Sequence, residues 1–331
     1  MKNINKVWLI AAFIISLSGC KKSEAKIPSP VDNTGSGFRV VGYIRDNNVA
    51  DGSAASVDFS KINYLNIAFL NPDQNGNFSA LTGLSAIVAL AHAKNVKVLA
   101  SIGGGLAPAY YSTLLSGSMR ADFINKLVGL VTDGQLDGID VDLEGERIDG
   151  NYEAFITELS AKLKPGGKLL TAAIATAYKS QYSDKALSLM DFVNVMSYDK
   201  TGPWNPANPG QHSPYDMAVS DLDYWTNTRR IPKAKLSLGV PFYGYGFGTN
   251  APSDMSFGDI VAQYPGAENN DQVTVNGGGI IYYNGLPTIK KKTSLALKNA
   301  GGVMIWQLMQ DAGGGKSLLN AINVTINTAS K

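Results

Sequence analysis

From residue 38 onward, short apolar runs rich in β-branched residues alternate with longer stretches whose apolar positions return every three or four residues. The runs at 38–44, 62–70, 96–102, 136–142, 168–175, 192–198, 235–242 and 302–308 have the length and composition of buried strands. Between them, Leu84, Ile87, Val88 and Ala91 make one apolar stripe. Ile124, Leu127, Val128 and Val131 make a second, and Tyr152, Phe155, Ile156 and Leu159 a third. Each stripe falls on one face of an α-helix. Eight strands alternating with helices predict an α/β protein with a parallel sheet, most simply closed as a (β/α)8 TIM barrel. A doubly wound open sheet is the alternative. It usually carries a Gly-rich phosphate loop after its first strand, whereas Tyr43-Ile44-Arg45-Asp46 stands here.

One connection is too long for a simple loop. Residues 244–300 separate the seventh and eighth strands and include Gly277-Gly278-Gly279-Ile280-Ile281-Tyr282-Tyr283 and a helix beginning near Thr288. This reads as a small insertion, about 246–298, on one face of a single domain spanning 37–331. Within it, Lys290-Lys291-Lys292 reads as a solvated helix face.

The N-terminus stands apart. Lys2 and Lys6 precede an apolar run at 7–17 that is too short to span a membrane, the layout of a secretory signal. Leu17-Ser18-Gly19-Cys20 resembles the lipobox of bacterial lipoproteins. By that resemblance residues 1–19 are removed, Cys20 is acylated, and the Pro/Gly/Ser-bearing stretch 20–36 tethers the domain to a bacterial membrane. Cys20 is the one cysteine of the chain, so no intrachain disulfide and no cysteine-ligated metal site can form. Loss of two lysines balances 29 basic against 27 acidic residues. A neutral exported protein offers no electrostatic case for nucleic acid and points to an uncharged substrate. A monomer is the default expectation.

The chemistry concentrates in the fourth strand. Side chains alternate along a strand, so Asp140, Asp142 and Glu144 share one side and Ile139, Val141 and Leu143 the other. With the aliphatic set against the helices, the carboxylates point into the C-terminal mouth of the barrel, where barrel enzymes place their catalytic groups. Acids on an otherwise apolar strand are costly to bury without a task or a partner. Three close carboxylates cannot all ionise, so one pKa is raised into the range of a general acid. The structural alternative is a solvated, acidic strand end. Metal chemistry is disfavoured: the two histidines, His92 in an outer helix and His212 in a loop, lack ligand spacing and read as surface residues. No cofactor is expected.

The run Asp137-Gly138-Ile139-Asp140-Val141-Asp142-Leu143-Glu144 resembles the D-G-x-D-x-D-x-E signature of glycoside hydrolase family eighteen, the chitinases and endo-β-N-acetylglucosaminidases. Ser101-Ile102-Gly103-Gly104 resembles the family's S-x-G-G, and Met196-Ser197-Tyr198-Asp199 its M-[ST]-Y-D. Gly239-Val240-Pro241-Phe242-Tyr243-Gly244 and Met304-Ile305-Trp306 follow in the family's order. The resemblance implies a retaining, substrate-assisted glycosidase, outside the usual two-carboxylate scheme. Glu144 would protonate the glycosidic oxygen while the substrate's N-acetyl carbonyl attacks the anomeric carbon. Asp142 would orient the acetamido N–H, and Asp140 would share the proton that lets Asp142 change partners. Tyr198 would donate to the acetamido oxygen, Asp199 would hold the distorted sugar, and Trp306 would floor the −1 site.

Around these, Tyr43, Phe69 and Met196 are candidates to line the −1 pocket, with core packing as the alternative. Trp204, Tyr243 and Tyr245 are candidates to stack on sugars, whereas Trp225 reads as core. Asp137 reads as a residue that positions the strand, and Gly103 to Gly105 as tight backbone beside the cleft. Leu143, Gly145 and Tyr245 stand where many relatives carry tryptophan, an aromatic and arginine. These departures bear on the plus-side subsites and on the choice of glycan. The expected substrate is β-1,4-linked N-acetylglucosamine. An endo-β-N-acetylglucosaminidase of N-glycan cores and a glycan-binding lipoprotein without activity are the alternatives.

Overall fold

The computed structural model describes Met1 and residues 37–329, so the expected signal segment, the acylated Cys20 and the tether lie outside the described residues. Eight parallel strands close into a barrel: β1 (Arg39–Arg45), β2 (Tyr64–Ala68), β3 (Lys97–Gly103), β4 (Gly138–Asp142), β5 (Leu169–Ile174), β6 (Phe192–Val195), β7 (Leu236–Pro241) and β12 (Gly302–Trp306). These are the eight runs expected from the hydrophobic pattern, in the same order, and the barrel is a (β/α)8 TIM barrel. Most strands are shorter than their apolar runs. β6, for example, ends at Val195, and Met196 to Tyr198 leave the ladder at the barrel mouth.

The three apolar stripes lie on the helices Leu84–His92, Arg120–Asp133 and Tyr152–Leu163, with Ile87, Leu127 and Phe155 among their buried residues. Ile139, Val141 and Leu143 are fully buried in the same core layer as these helices. That burial commits the other side of β4 to the barrel interior, because a one-residue slip would turn the acids into the apolar layer under the helices.

Between β7 and β12 lies a second, antiparallel sheet. It is built of β8 (Tyr243–Phe247), β9 (Asp254–Ser256), β10 (Gln272–Thr274) and β11 (Ile280–Tyr282) in the order β10-β11-β8-β9. This excursion is shorter than expected. The helix Leu286–Asn299 packs against β7, β12 and the helices Tyr215–Asp223 and Leu318–Ala329, so it belongs to the outer layer of the barrel.

That packing corrects the reading of Lys292. The side chain is fully buried, on the inner face of its helix. Its ammonium donates to Ser213 O and Oγ at 2.6 Å each and to Asn284 Oδ1 at 2.7 Å. Burial pulls its pKa down to about 7, while Asp271 and Asp221 pull it back up. His212 is likewise fully buried and is no surface residue. His92, at the end of its helix, is exposed and pairs with Asp137 at 2.8 Å. Trp225 is core, its Nε1 donating to Thr176 Oγ1 at 3.0 Å.

Candidate active site

The three acids stand on one side of β4 and its exit, graded in exposure. Asp140 is fully buried, Asp142 is nearly so, and Glu144 opens toward the cleft. Glu144 keeps extended backbone angles, φ −126° and ψ 149°, which carries the strand's alternation one step past the ladder.

Asp140 is held by four donors. Tyr43 Oη donates to Oδ2 at 2.6 Å and Ser101 Oγ to the same oxygen at 2.8 Å. Thr171 Oγ1 donates to Oδ1 at 2.5 Å, with Asn194 Nδ2 at 3.5 Å. Ser101 and Thr171 flank Asp140 in register on β3 and β5, forming a polar layer across three neighbouring strands. Burial raises the Asp140 pKa, and the four hydrogen bonds pull it back toward the ionised form. Of these partners, Tyr43 was a candidate only for the pocket wall, and Thr171 and Asn194 were missed. Their signal was a polar side chain inside an apolar strand, as at Asp140 itself.

Asp142 is less well provided for. Its Oδ1 is buried without a hydrogen-bond partner. Burial first, then repulsion from Glu144 and Asp140, raises its pKa well above the usual carboxylate range. Glu144 is pushed up to about 7, by burial and then by the charge of Asp199. Glu144 therefore retains its proton toward neutral pH, the condition for a general acid.

Close backbone approach makes this column possible. Gly103 has φ +106°, and a Cβ there would lie 2.2 Å from Asp142 O. The next amide, Gly104 N–H, donates to that same oxygen at 2.7 Å. Asp137, at the bottom of β4, accepts from Val98 N–H at 2.9 Å and Lys97 Nζ at 2.8 Å, which ties the strand to β3.

The candidate sugar-binding residues converge. Tyr43, Met196, Tyr198, Tyr243 and Met304 form one buried cluster, with Phe69, Tyr245 and Trp306 packed against it. Phe69 stacks on Trp306 with centroids 5.4 Å apart and planes at 24°, and Tyr43 tilts against the same indole at 5.6 Å. Tyr198 Oη has a weak contact, Met304 Sδ at 3.7 Å. Burial, and then Asp142, raises its pKa well above the usual tyrosine value, so it stays a donor. Asp199 adopts φ 59° and accepts a hydrogen bond from Tyr243 Oη. Trp204 is 61% exposed and sets its edge against Tyr245 at 5.1 Å. Tyr178, which the sequence did not single out, sets its ring beside Gly145, close enough to Glu144 to feel its charge. A groove of about 830 Å³ lined by Phe78, Leu81 and Lys126 adjoins Phe69 but contains none of the acids.

The fourth strand of the parallel barrel thus carries a column of carboxylates into an aromatic-lined mouth. The chain belongs to the glycosyl hydrolases family 18, which it matches over residues 39–311. It is similar to a GH18 chitinase from the chitin utilization locus of Flavobacterium johnsoniae, with 36% identity, a TM-score of 0.81, and coverage of 88% of this chain and 94% of that one. A chitinase from Bacteroides thetaiotaomicron gives 25% identity, a TM-score of 0.75, and coverage of 89% and 98%. Among sequence relatives, Chitinase A1 of Niallia circulans is 25% identical over 304 residues, 71% of this chain and 43% of that longer protein. Chitinase-3-like protein 2 of Homo sapiens is 25% identical over 282 residues, 67% of this chain and 71% of that protein.

Proposed function

We propose that the protein hydrolyses β-1,4-linked N-acetylglucosamine in chitin oligosaccharides, by a retaining mechanism in which the substrate's acetamide is the nucleophile. The observation that carries this reading is the pairing of Glu144, protonated up to about pH 7, with the partnerless buried Oδ1 of Asp142. An acceptor desolvated without a partner has a task in a complex, because leaving it unpaired costs about 1–3 kcal/mol. An acetamido N–H of a sugar bound at −1 supplies the missing donor.

In this scheme Glu144 protonates the glycosidic oxygen as the acetamide carbonyl oxygen attacks the anomeric carbon. The glycosidic C–O bond breaks and an oxazolinium ion forms. Asp142 accepts the acetamide N–H and offsets the positive charge, while Asp140, held by its four donors, takes up the charge change beneath it. Tyr198 Oη donates to the acetamide oxygen. Water activated by Glu144 then opens the ring and returns the proton. The similarity to chitinases supports chitin over other glycans. Export, lipid attachment at Cys20 and action as a monomer complete the proposal. Loss of radiolabelled fatty acid from a Cys20→Ala variant tests the anchor.

The reaction test uses chitotetraose and a high-mannose glycoprotein side by side. Cleavage of the first alone supports this function. Cleavage of the second alone identifies an endo-β-N-acetylglucosaminidase, and binding without cleavage a glycan-binding protein. Product released first as the α-anomer overturns the retaining mechanism. Glu144→Gln is expected to lower kcat by about 10³-fold, since general acid catalysis contributes roughly 10²–10⁴.

A further inference from the structure

Charge on the barrel is sorted by place. Residues 37–331 hold 24 basic and 25 acidic side chains, close to balance. The eight parallel strands are entered through the segments 37–39, 57–64, 92–97, 133–138, 162–169, 190–192, 229–236 and 298–302. These hold twelve lysines and arginines against four aspartates. Because the strands all run the same way, the segments together form the end of the barrel opposite the mouth. The rest of the domain is left with 12 basic against 21 acidic side chains, the column on β4 among them.

Local pairing does not cancel the excess. Lys97 pairs with Asp137 at 2.8 Å, Lys61 with Asp58 at 3.1 Å, and Lys164 with Asp191, which uses three of the four aspartates. Lys168 Nζ donates to Leu136 O and Lys235 Nζ to Met190 O, each at 2.7 Å. Neutral carbonyls hold those ammonium groups at the barrel end without offsetting their charge. Lys94, Lys162 and Lys298 stand exposed around the rim, ahead of β3, β5 and β12. Like charges gathered on one end repel one another, a cost that an anionic partner removes. The path of the chain says where that partner lies. It enters the barrel at this same end, at Arg39, the first residue of β1. The 17 residues 20–36 between Cys20 and the domain reach at most about 60 Å. Anchoring through Cys20 therefore hangs the barrel from its basic end.

We propose that this basic end is a docking surface for the anionic phospholipid headgroups of a membrane, and that it stands the barrel with its mouth turned away from the bilayer. The proposal rests on lipid attachment at Cys20, which brings the surface within reach. Docked in this way, the carboxylate column opens toward solution, where soluble glycan chains arrive.

Two measurements test it. The core residues lie between Phe38 and Ile326, so a chain begun at residue 20 keeps the whole domain. With Cys20→Ala that chain carries no acyl group, and it is sedimented with vesicles of phosphatidylglycerol mixed with phosphatidylcholine, or of phosphatidylcholine alone. Binding is expected on the anionic vesicles only, and is expected to be lost at about 0.5 M salt, where the field is screened within a few ångströms. Replacing Lys94, Lys162 and Lys298 together by glutamine is expected to weaken binding about 100-fold, at about fivefold for each lysine. The melting temperature and the cleavage of chitotetraose in solution are expected to stay unchanged. Equal binding to both kinds of vesicle overturns the proposal. So does a triple variant that binds as tightly as its parent, through Lys21, Lys22 and Lys26 ahead of the domain. The second measurement is lysine acetylation of the acylated protein on anionic vesicles. Lys162 and Lys298 are expected to lose reactivity, while Lys200, in the loop after β6 at the mouth, reacts as it does in solution. Protection of Lys200 in their place overturns the orientation. Absence of an acyl group from the wild-type chain sinks lipid attachment instead, and leaves the vesicle binding to decide the docking surface.

Discussion

Tyr43 and Asp140, ninety-seven positions apart, are joined by a 2.6 Å hydrogen bond beneath the candidate active site. The phenol belongs to β1 and the carboxylate to β4, so the bond spans the barrel interior. Tyr43→Phe removes one of four donors and little volume. Because the lost bond goes to a carboxylate, we expect destabilisation of about 2 kcal/mol and a carboxyl that protonates more readily. On the proposed mechanism kcat falls about tenfold with KM nearly unchanged, since a buried relay acts on the transition state. Urea denaturation and steady-state kinetics read the two effects separately.

The raised pKa of Glu144 makes both activity and stability depend on pH. On the proposed mechanism Glu144 acts as the protonated acid, so kcat is expected to fall as pH rises through about 7. For stability, the folded carboxyl binds its proton up to about 7, while the unfolded one releases it near its ordinary value of 4.5. Between those values the folded state holds more protons, so stability falls with rising pH, by at most about 1.4 kcal/mol per unit. Partial exposure reduces that slope. Asp142 contributes in the same sense. Thermal unfolding is expected at higher temperature at pH 5 than at pH 8, and Glu144→Gln flattens the difference.

Gly103→Ala tests the close approach of β3 to β4. The added methyl would stand 2.2 Å from Asp142 O, at a φ of +106° that L-residues avoid. Backbone cannot yield as a flexible side chain does. We expect a loss of about 2–4 kcal/mol in stability. The accompanying shift of Asp142 should lower activity even at temperatures where the variant remains folded. Wild-type melting with wild-type turnover would refute this.

Lys292→Met keeps the stem of the side chain and removes three hydrogen bonds. Relief of the buried charge offsets part of the loss, but Asn284 Oδ1 and Ser213 Oγ lose a donor inside the core. A net destabilisation of about 1–3 kcal/mol is expected by urea denaturation. A variant as stable as the wild type would mean that the ammonium contributes nothing net.

The barrel was legible because β-branched runs and helical stripes each serve one buried face, as with Ile139, Val141 and Leu143 against the outer helices. The column of Asp140, Asp142 and Glu144 was legible for the same reason, since polarity on the inward side of such a strand is out of place. What escaped was pairing over distance. Lys292 looked solvated because its acceptors, Ser213 and Asn284, are 79 and 8 positions away and only the fold gathers them. His212 was misread likewise, because a loop position says nothing of burial until β8 folds over it. Thr171 and Asn194 were readable in principle, each a polar residue in an apolar strand, but their shared partner was not.

The polar layer of Ser101, Asp140 and Thr171 has a consequence for how the protein can change. Buried ionic groups are often replaceable by well-packed hydrocarbon with a gain in stability. Heat resistance would therefore come cheaply from oiling the interior at that level, and every such step would dismantle the support of the acid column. Selection for robustness alone should drift toward a sturdier barrel with an idle mouth. A screen of residues 101, 140 and 171 for higher melting temperature is expected to return mainly apolar, inactive variants.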